Sequence, residues 1–172
     1  MTAVGSGPTR YVLDANVLME AAKRYYAFDI TRRFWDALIQ HAQTGLLLSI
    51  DRVKAEIDKG YDDLKNWANN EFHSWFVSTV EDDVIDAYRR VMQWAYSQNQ
   101  FADAAKAEFA RGNNADAWVV AYALAKGCTV VTHEQFDPNI KRRIPIPNVC
   151  QAFSMQPVDT FQMLRALGVR LD

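Results

Sequence analysis

The stretch Tyr11-Val12-Leu13-Asp14-Ala15-Asn16-Val17-Leu18-Met19, YVLDANVLM, decides the fold. Tyr11, Val12 and Leu13 are apolar on both sides of the strand alternation, which suits a strand covered on both faces, as in parallel sheets. From Asn16 the pattern turns helical. Between the two stands Asp14, and a carboxylate at the end of a buried strand is costly unless something compensates it.

Working outward, three more segments read as short buried strands: LLLSI (46–50), WFVSTV (75–80) and CTVVT (128–132), with a further strand expected near NVC (148–150). Helical patterns separate them. FWDALIQHA places Phe34, Trp35, Leu38, Ile39 and Ala42 on one face, with Asp29 or Thr31 as its cap and Gly45 as its stop. Asp51 is placed to cap RVKAEIDKG, and Leu64, Trp67, Phe72, Trp75 and Phe76 mark the apolar face of the next helix. EDDVIDAYRRVMQWAYSQ, NNADAWVVAYALAKG and VDTFQMLRAL complete the set, and HEQFDPNIKRRIPIP is a proline-broken loop. Strands alternating with helices predict an α/β fold with a central parallel sheet of four to five strands, ligands gathering at the carboxyl ends of the strands.

Composition agrees with a folded chain. Of 172 residues, 49% are hydrophobic and five are Trp, which argues against disorder. The net charge is −2, so any surface for a polyanion has to be local. Cys128 and Cys150 lie in apolar settings outside any CxxC and read as buried thiols of a reducing compartment, with a disulfide as the lesser alternative. MTAVGSGPTR lacks the charged and apolar regions of a signal peptide, and no apolar run has the length of a membrane span. We therefore expect a soluble, cytoplasmic protein without membrane contact: a flexible lead over residues 1–9 and a single domain over 10–172.

Four acids have telling positions. Asp14 ends the first strand, Glu56 sits in the helix after the second, Asp116 opens the helix ADAWVVAYALAK, and Glu134 follows TVVT. In a parallel sheet, strand ends and the starts of the following helices share one edge, so Asp14, Asp116 and Glu134 should converge, with Glu56 reaching in. Clustered carboxylates repel unless a cation joins them. Hard oxygen donors without His or Cys favour Mg²⁺ or Mn²⁺, and such ions promote phosphodiester hydrolysis. Each acid also has a structural reading: Asp14 as a helix cap, Asp116 as a first-turn acid favoured by the helix dipole, Glu56 and Glu134 as solvated surface groups.

The ordered set YVLDANVLM, VKAEIDKG, NNADAWVVAYALAKG and VVTHEQF resembles the PIN-domain family over residues 10 to about 165, in particular an uncharacterised PIN-like branch near the toxins of toxin–antitoxin pairs. The resemblance implies a three-layer α/β/α sandwich and a metal-dependent endoribonuclease leaving a 5′-phosphate and a 3′-hydroxyl. It also implies a toxin role, an antitoxin partner and a homodimer. By position it makes Asp14, Glu56 and Asp116 the catalytic metal ligands and Asn16 and Thr132 their small polar supports. Glu134 completes the catalytic metal site as the fourth acid. It falls where the family commonly has Asp, a conservative departure with a longer reach, which binds the metal directly, through water, or only supports its ligands.

Candidate RNA contacts are Lys54 and Lys59, which flank Glu56, and the run Lys141-Arg142-Arg143, whose alternative is a solvated loop. Tyr25, Tyr26 and Trp67 are candidates for base stacking or for packing. Rival readings are another metal-dependent nuclease or phosphatase on the same acids, and a non-catalytic PIN module that binds RNA or protein. A haloacid-dehalogenase phosphatase needs a second Asp two residues after the first, where this chain has Asn16. A receiver domain needs an acidic pair before Asp14, which is absent, and there is no Walker-type phosphate loop. His41, His73 and His133 are too scattered for zinc.

Overall fold

A computed structural model describes residues 7–60 and 62–172. Of the lead expected over 1–9, residues 1–6 lie outside the described residues, and Gly7, Pro8 and Thr9 are exposed.

Four strands, β1 (Tyr11–Leu13), β2 (Leu47–Ile50), β3 (Phe76–Val77) and β4 (Thr129–Val131), form one sheet in the order β3-β2-β1-β4. Every pairing is parallel. β1 and β4 align Leu13 with Val131, so Asp14 and Thr132 leave the sheet side by side. The chain order reverses direction at this pair, the place where open parallel sheets open a crevice.

The helices are α1 (Ala15–Glu20), α2 (Arg32–Gln43), α3 (Asp51–Ile57), α4 (Asp63–Asn70), α5 (Asp82–Ser97), α6 (Asp103–Phe109), α7 (Asp116–Lys126), α8 (Ile146–Ala152) and α9 (Thr160–Ala166). α7 touches β1 and β4 and packs along α5, whereas α2 packs on β2 and α1 on α3, which makes the expected α/β/α sandwich. The core follows the apolar runs: Val12, Leu13, Leu47, Ile50, Val130 and Val131 are all buried, as are Val119 and Val120 on α7. α7 is stopped by Gly127, whose φ of 68° is the left-handed turn that glycine adopts without a Cβ clash. Cys128 and Cys150 are buried free thiols. Among the described residues no helix is long and apolar enough to cross a membrane.

Three local expectations are corrected. Residues 148–150 are not a strand but part of α8. Pro147 sits in its first turn, where a missing N–H costs nothing, and Val149 and Cys150 are buried by the helix. The fifth strand position is taken instead by Val158, which bridges Val131 in parallel: its N–H donates to Val130 O (3.0 Å), and Thr132 N donates to Val158 O (2.9 Å). Asp51 is not a cap. Its carboxylate accepts from Thr79 N (3.1 Å) and Thr79 Oγ1 (2.9 Å), pinning the chain after β3 to the end of β2. The helix expected to carry both Trp67 and Trp75 ends at Asn70, and a 3₁₀ turn (His73–Trp75) leads into β3.

Candidate functional site

Asp14 occupies the N-cap position of α1 with extended backbone, yet its side chain caps nothing. It is fully buried. Oδ2 accepts the Thr132 hydroxyl at 3.1 Å, and Oδ1 has no hydrogen-bond partner. The Thr132 hydroxyl also accepts from the Glu134 backbone N–H (3.2 Å), so one small side chain ties the end of β1 to the turn after β4. Burial holds the Asp14 carboxyl well above the usual carboxylate range, the charges of Asp116 and Glu134 push the same way, and the Thr132 hydroxyl only partly opposes them.

Asp116 opens α7 and is set by its neighbours. Asn114 Oδ1 accepts the Asp116 N–H at 2.9 Å, an Asx turn that leads the chain into α7. Burial, then the charges of Glu134 and Glu56, push the Asp116 carboxyl up to about 7, with Arg143 opposing. Glu56 comes from α3, which α7 grips through Arg52: its guanidinium lies 4.1 Å from the Trp118 ring, and it donates to Gly112 O at 2.9 Å. Trp118 is in turn stacked on Tyr88 of α5 at 3.9 Å. Held there, Glu56 Oε1 accepts the Ala115 N–H (3.1 Å), one residue before Asp116. Burial raises the Glu56 carboxyl, against the Ala115 N–H and Lys59.

Glu134 is held by Arg143, whose guanidinium donates to Oε1. Oε2 is buried without a partner. Burial raises this carboxyl too, and Arg143 offsets part of the shift.

The four acids therefore share one electrostatic neighbourhood at the carboxyl edge of the sheet. Among the described residues, no three of His, Cys, Asp and Glu stand close enough to enclose a metal ion. The donors nevertheless suit a hard cation. They are all carboxylates, and two of their oxygens, Asp14 Oδ1 and Glu134 Oε2, are buried without a hydrogen-bond partner, the backbone amides of Ala15 and Ile146 only tempering the charge of the two groups. Beside them a groove of about 430 Å³ collects Asn16, Glu56, Lys59, Asn114 and Asp116. Asn16 is exposed there and, among the described residues, makes no hydrogen bond to Asp14, whereas Thr132 does.

The candidate cations separate. Lys59 lines the groove. Lys54 is tied to Asp58 at 2.7 Å, one turn along α3. Arg143 faces Glu134, while Lys141 and Arg142 are exposed on the loop. Of the aromatic candidates, Trp67 is core, wedged between Trp35 (4.8 Å) and Phe72 (4.9 Å), and Tyr26 stacks on Phe34 at 4.3 Å. Tyr25 is half exposed and lies 6.0 Å from His133, whose Nε2 meets Thr160 Oγ1 at 2.9 Å. Sequence reasoning missed Asn114 and the pairing role of Arg143. Asn two residues before an acid at a helix start is a turn signal that points to the first; nothing local points to the second, nine residues from Glu134.

The family profile described as "Domain of unknown function (DUF4411)" matches residues 11–171. No curated protein matches the chain. Among solved structures, a chain of VapBC2 from Rickettsia felis, crystallised with a DNA fragment from their promoter, is similar with a TM-score of 0.47 at 14% identity, over 78% of this chain and 98% of that one.

Proposed function

The chain belongs to the DUF4411 family, and from that premise and the geometry above we propose that residues 10–172 form one PIN-like domain acting as a Mg²⁺- or Mn²⁺-dependent endoribonuclease. The observation that carries the proposal is Asp14: fully buried, with one oxygen unpartnered, and crowded by the charges of Asp116 and Glu134. A fold tolerates that arrangement at a site where something else completes it.

In this reading Asp14, Glu56 and Asp116 would hold the cation and Glu134 would complete the site, the carboxylates drawing in around the ion from their present spacing. A divalent ion bound there supplies Lewis-acid polarisation of a phosphoryl oxygen and a more acidic water. The chain's own groups set the stage. Thr132 fixes Asp14 through Oδ2 and leaves Oδ1 available. Asn114 orients the first turn of α7, and with it the Asp116 carboxylate. Arg143 pairs with Glu134 and opposes the upward push that burial puts on its carboxyl. Lys59, at the mouth of the groove, meets an incoming phosphate, with Lys141 and Arg142 as further strand contacts and Lys54 bound up with Asp58. With Asp116 titrating at about 7, cation binding near neutral pH displaces protons from the cluster. The role as toxin, the antitoxin partner and the homodimer are proposed on the PIN resemblance of the sequence; a cytoplasmic location is proposed on the two free buried cysteines.

The test is cleavage of total RNA by the purified chain with Mg²⁺ or Mn²⁺ and with EDTA. Cutting with either ion and none in EDTA is the expected result. Equal cutting in EDTA, or no cutting with either ion, refutes the proposal.

A further inference from the structure

A second cavity, of about 730 Å³, opens beside the acids and shares Thr132 and Glu134 with them. Its size suits a nucleoside-sized ligand. No Lys or Arg lines it. Its one other acid, Asp159, caps α9 by accepting from Gln162 N at 2.8 Å. A site without cations beside a carboxylate cluster repels phosphate, so its occupant is neutral.

Carboxamides make up most of the remaining polar lining, and Pro147, Met155 and Pro157 supply apolar wall. Gln135, Gln151 and Gln156 present carboxamides, and Phe136 presents a ring that is 46% exposed. Gln151 and Gln156 are exposed, and their side chains take no protein hydrogen bond among the described residues. A carboxamide carries a donor and an acceptor side by side, the complement of a heterocyclic base edge, and an exposed aromatic ring is a stacking platform.

The walls are also built. Asn148 of α8 clamps the loop after β4 twice: its Oδ1 accepts from Asp137 N (3.1 Å), and its Nδ2 donates to Asp137 O (2.8 Å). The opposite wall turns at Ser154, the one non-glycine residue with positive φ (58°) among those described. It is anchored by Met155 N to Cys150 O (2.8 Å) and by the Val158 bridge to β4. A cavity whose walls are tied to the sheet before any ligand arrives loses little freedom on binding.

We infer that this cavity is a subsite for one unpaired base of the RNA strand, read by Gln151 and Gln156 and stacked on Phe136, so that the chain selects where it cuts. The inference rests on the ribonuclease reading for the identity of the strand. It is tested by binding rather than by turnover. Fluorescent A6, C6 and U6 oligoribonucleotides are titrated by anisotropy against the full chain in Ca²⁺, with strand integrity checked on gels. An abasic strand of equal length and free AMP, CMP and UMP serve as competitors. The expected result is a spread of about tenfold or more between the best and worst oligonucleotide, with the abasic strand binding no better than the worst. Gln151→Ala and Gln156→Ala, shown folded by circular dichroism, should each weaken the best oligonucleotide about five- to tenfold and narrow the spread. Equal affinity for all three strands overturns the proposal, as does an unchanged spread in the double variant. A mononucleotide that outcompetes its strand reassigns the cavity to a free nucleotide and also overturns it. A chain that discriminates bases yet never cuts RNA refutes the hydrolytic reading alone; one that cuts without base preference refutes the subsite alone.

Discussion

Two aspartates stand at the ends of neighbouring parallel strands, Asp14 after β1 and Asp51 after β2, and the fold treats them oppositely. Asp51 is satisfied: both its oxygens accept from Thr79, and the contact closes β3 onto β2. Asp14 is buried more deeply and satisfied less, with one hydroxyl for two oxygens and two more acids close by. The same residue type in the same topological position is thus a fastening in one case and a stored electrostatic cost in the other. Such a cost persists where function requires it.

The sharpest way to break this comparison is by activity. Asp14→Asn and Asp116→Asn should each cut RNA about a thousandfold more slowly or worse, because charge stabilisation is commonly the largest catalytic contribution. Asp51→Asn and the exposed control Asp103→Asn should stay within a few-fold of the parent. Gel assays with Mn²⁺, alongside circular dichroism, decide it, and a folded Asp14→Asn chain that cuts normally would reduce Asp14 to a structural residue.

Next in size is the response to metal. At about a hundred times its dissociation constant, Mn²⁺ should stabilise the parent by about 2–3 kcal/mol. Thermal melts of Asp51→Asn should rise with Mn²⁺ as the parent's do, and those of Asp14→Asn should not.

pH separates the pair further. The Asp116 carboxyl titrates at about 7 in the fold against about 4 in an unfolded chain. Between those values the folded state binds more protons than the unfolded one, so this group's contribution makes stability fall as pH rises from about 4 to about 7 and then level off. Metal-free Asp116→Asn should therefore melt with the parent near pH 4 and above it by pH 8, by about 1–3 kcal/mol. A difference in melting temperature that does not vary with pH would contradict the crowding of these acids.

The smallest effect belongs to Asp51. Asp51→Ala leaves the buried Thr79 N–H and hydroxyl without their acceptor and should cost about 1–2 kcal/mol in urea unfolding, with little change in cleavage.

Much of this is legible in the sequence. YVL, LLLSI and CTVVT announce themselves as strands because burial on both faces leaves uniformly apolar runs. Gly45 and Gly127 mark helix ends because a C-terminal stop is local chemistry, and both take positive φ. The segment near Cys150 is ambiguous, because a short apolar run after prolines fits a strand or a helix equally. The choice was made by Val158, which took the place beside β4.

The sequence by itself determined the alternation of the main strands and helices, the parallel sheet, and the gathering of Asp14, Asp116 and Glu134 toward one edge. These follow from hydrophobic period and chain direction, which each segment carries within itself. The tertiary structure alone decided what each carboxylate touches. That Leu13 aligns with Val131 sets Thr132 against Asp14, that the loop returns sets Arg143 against Glu134, and that Arg52 seats on Trp118 brings Glu56 to the start of α7. Hydrogen bonds and charge coupling act over a few ångströms between residues tens of positions apart, a distance on which local pattern carries no information.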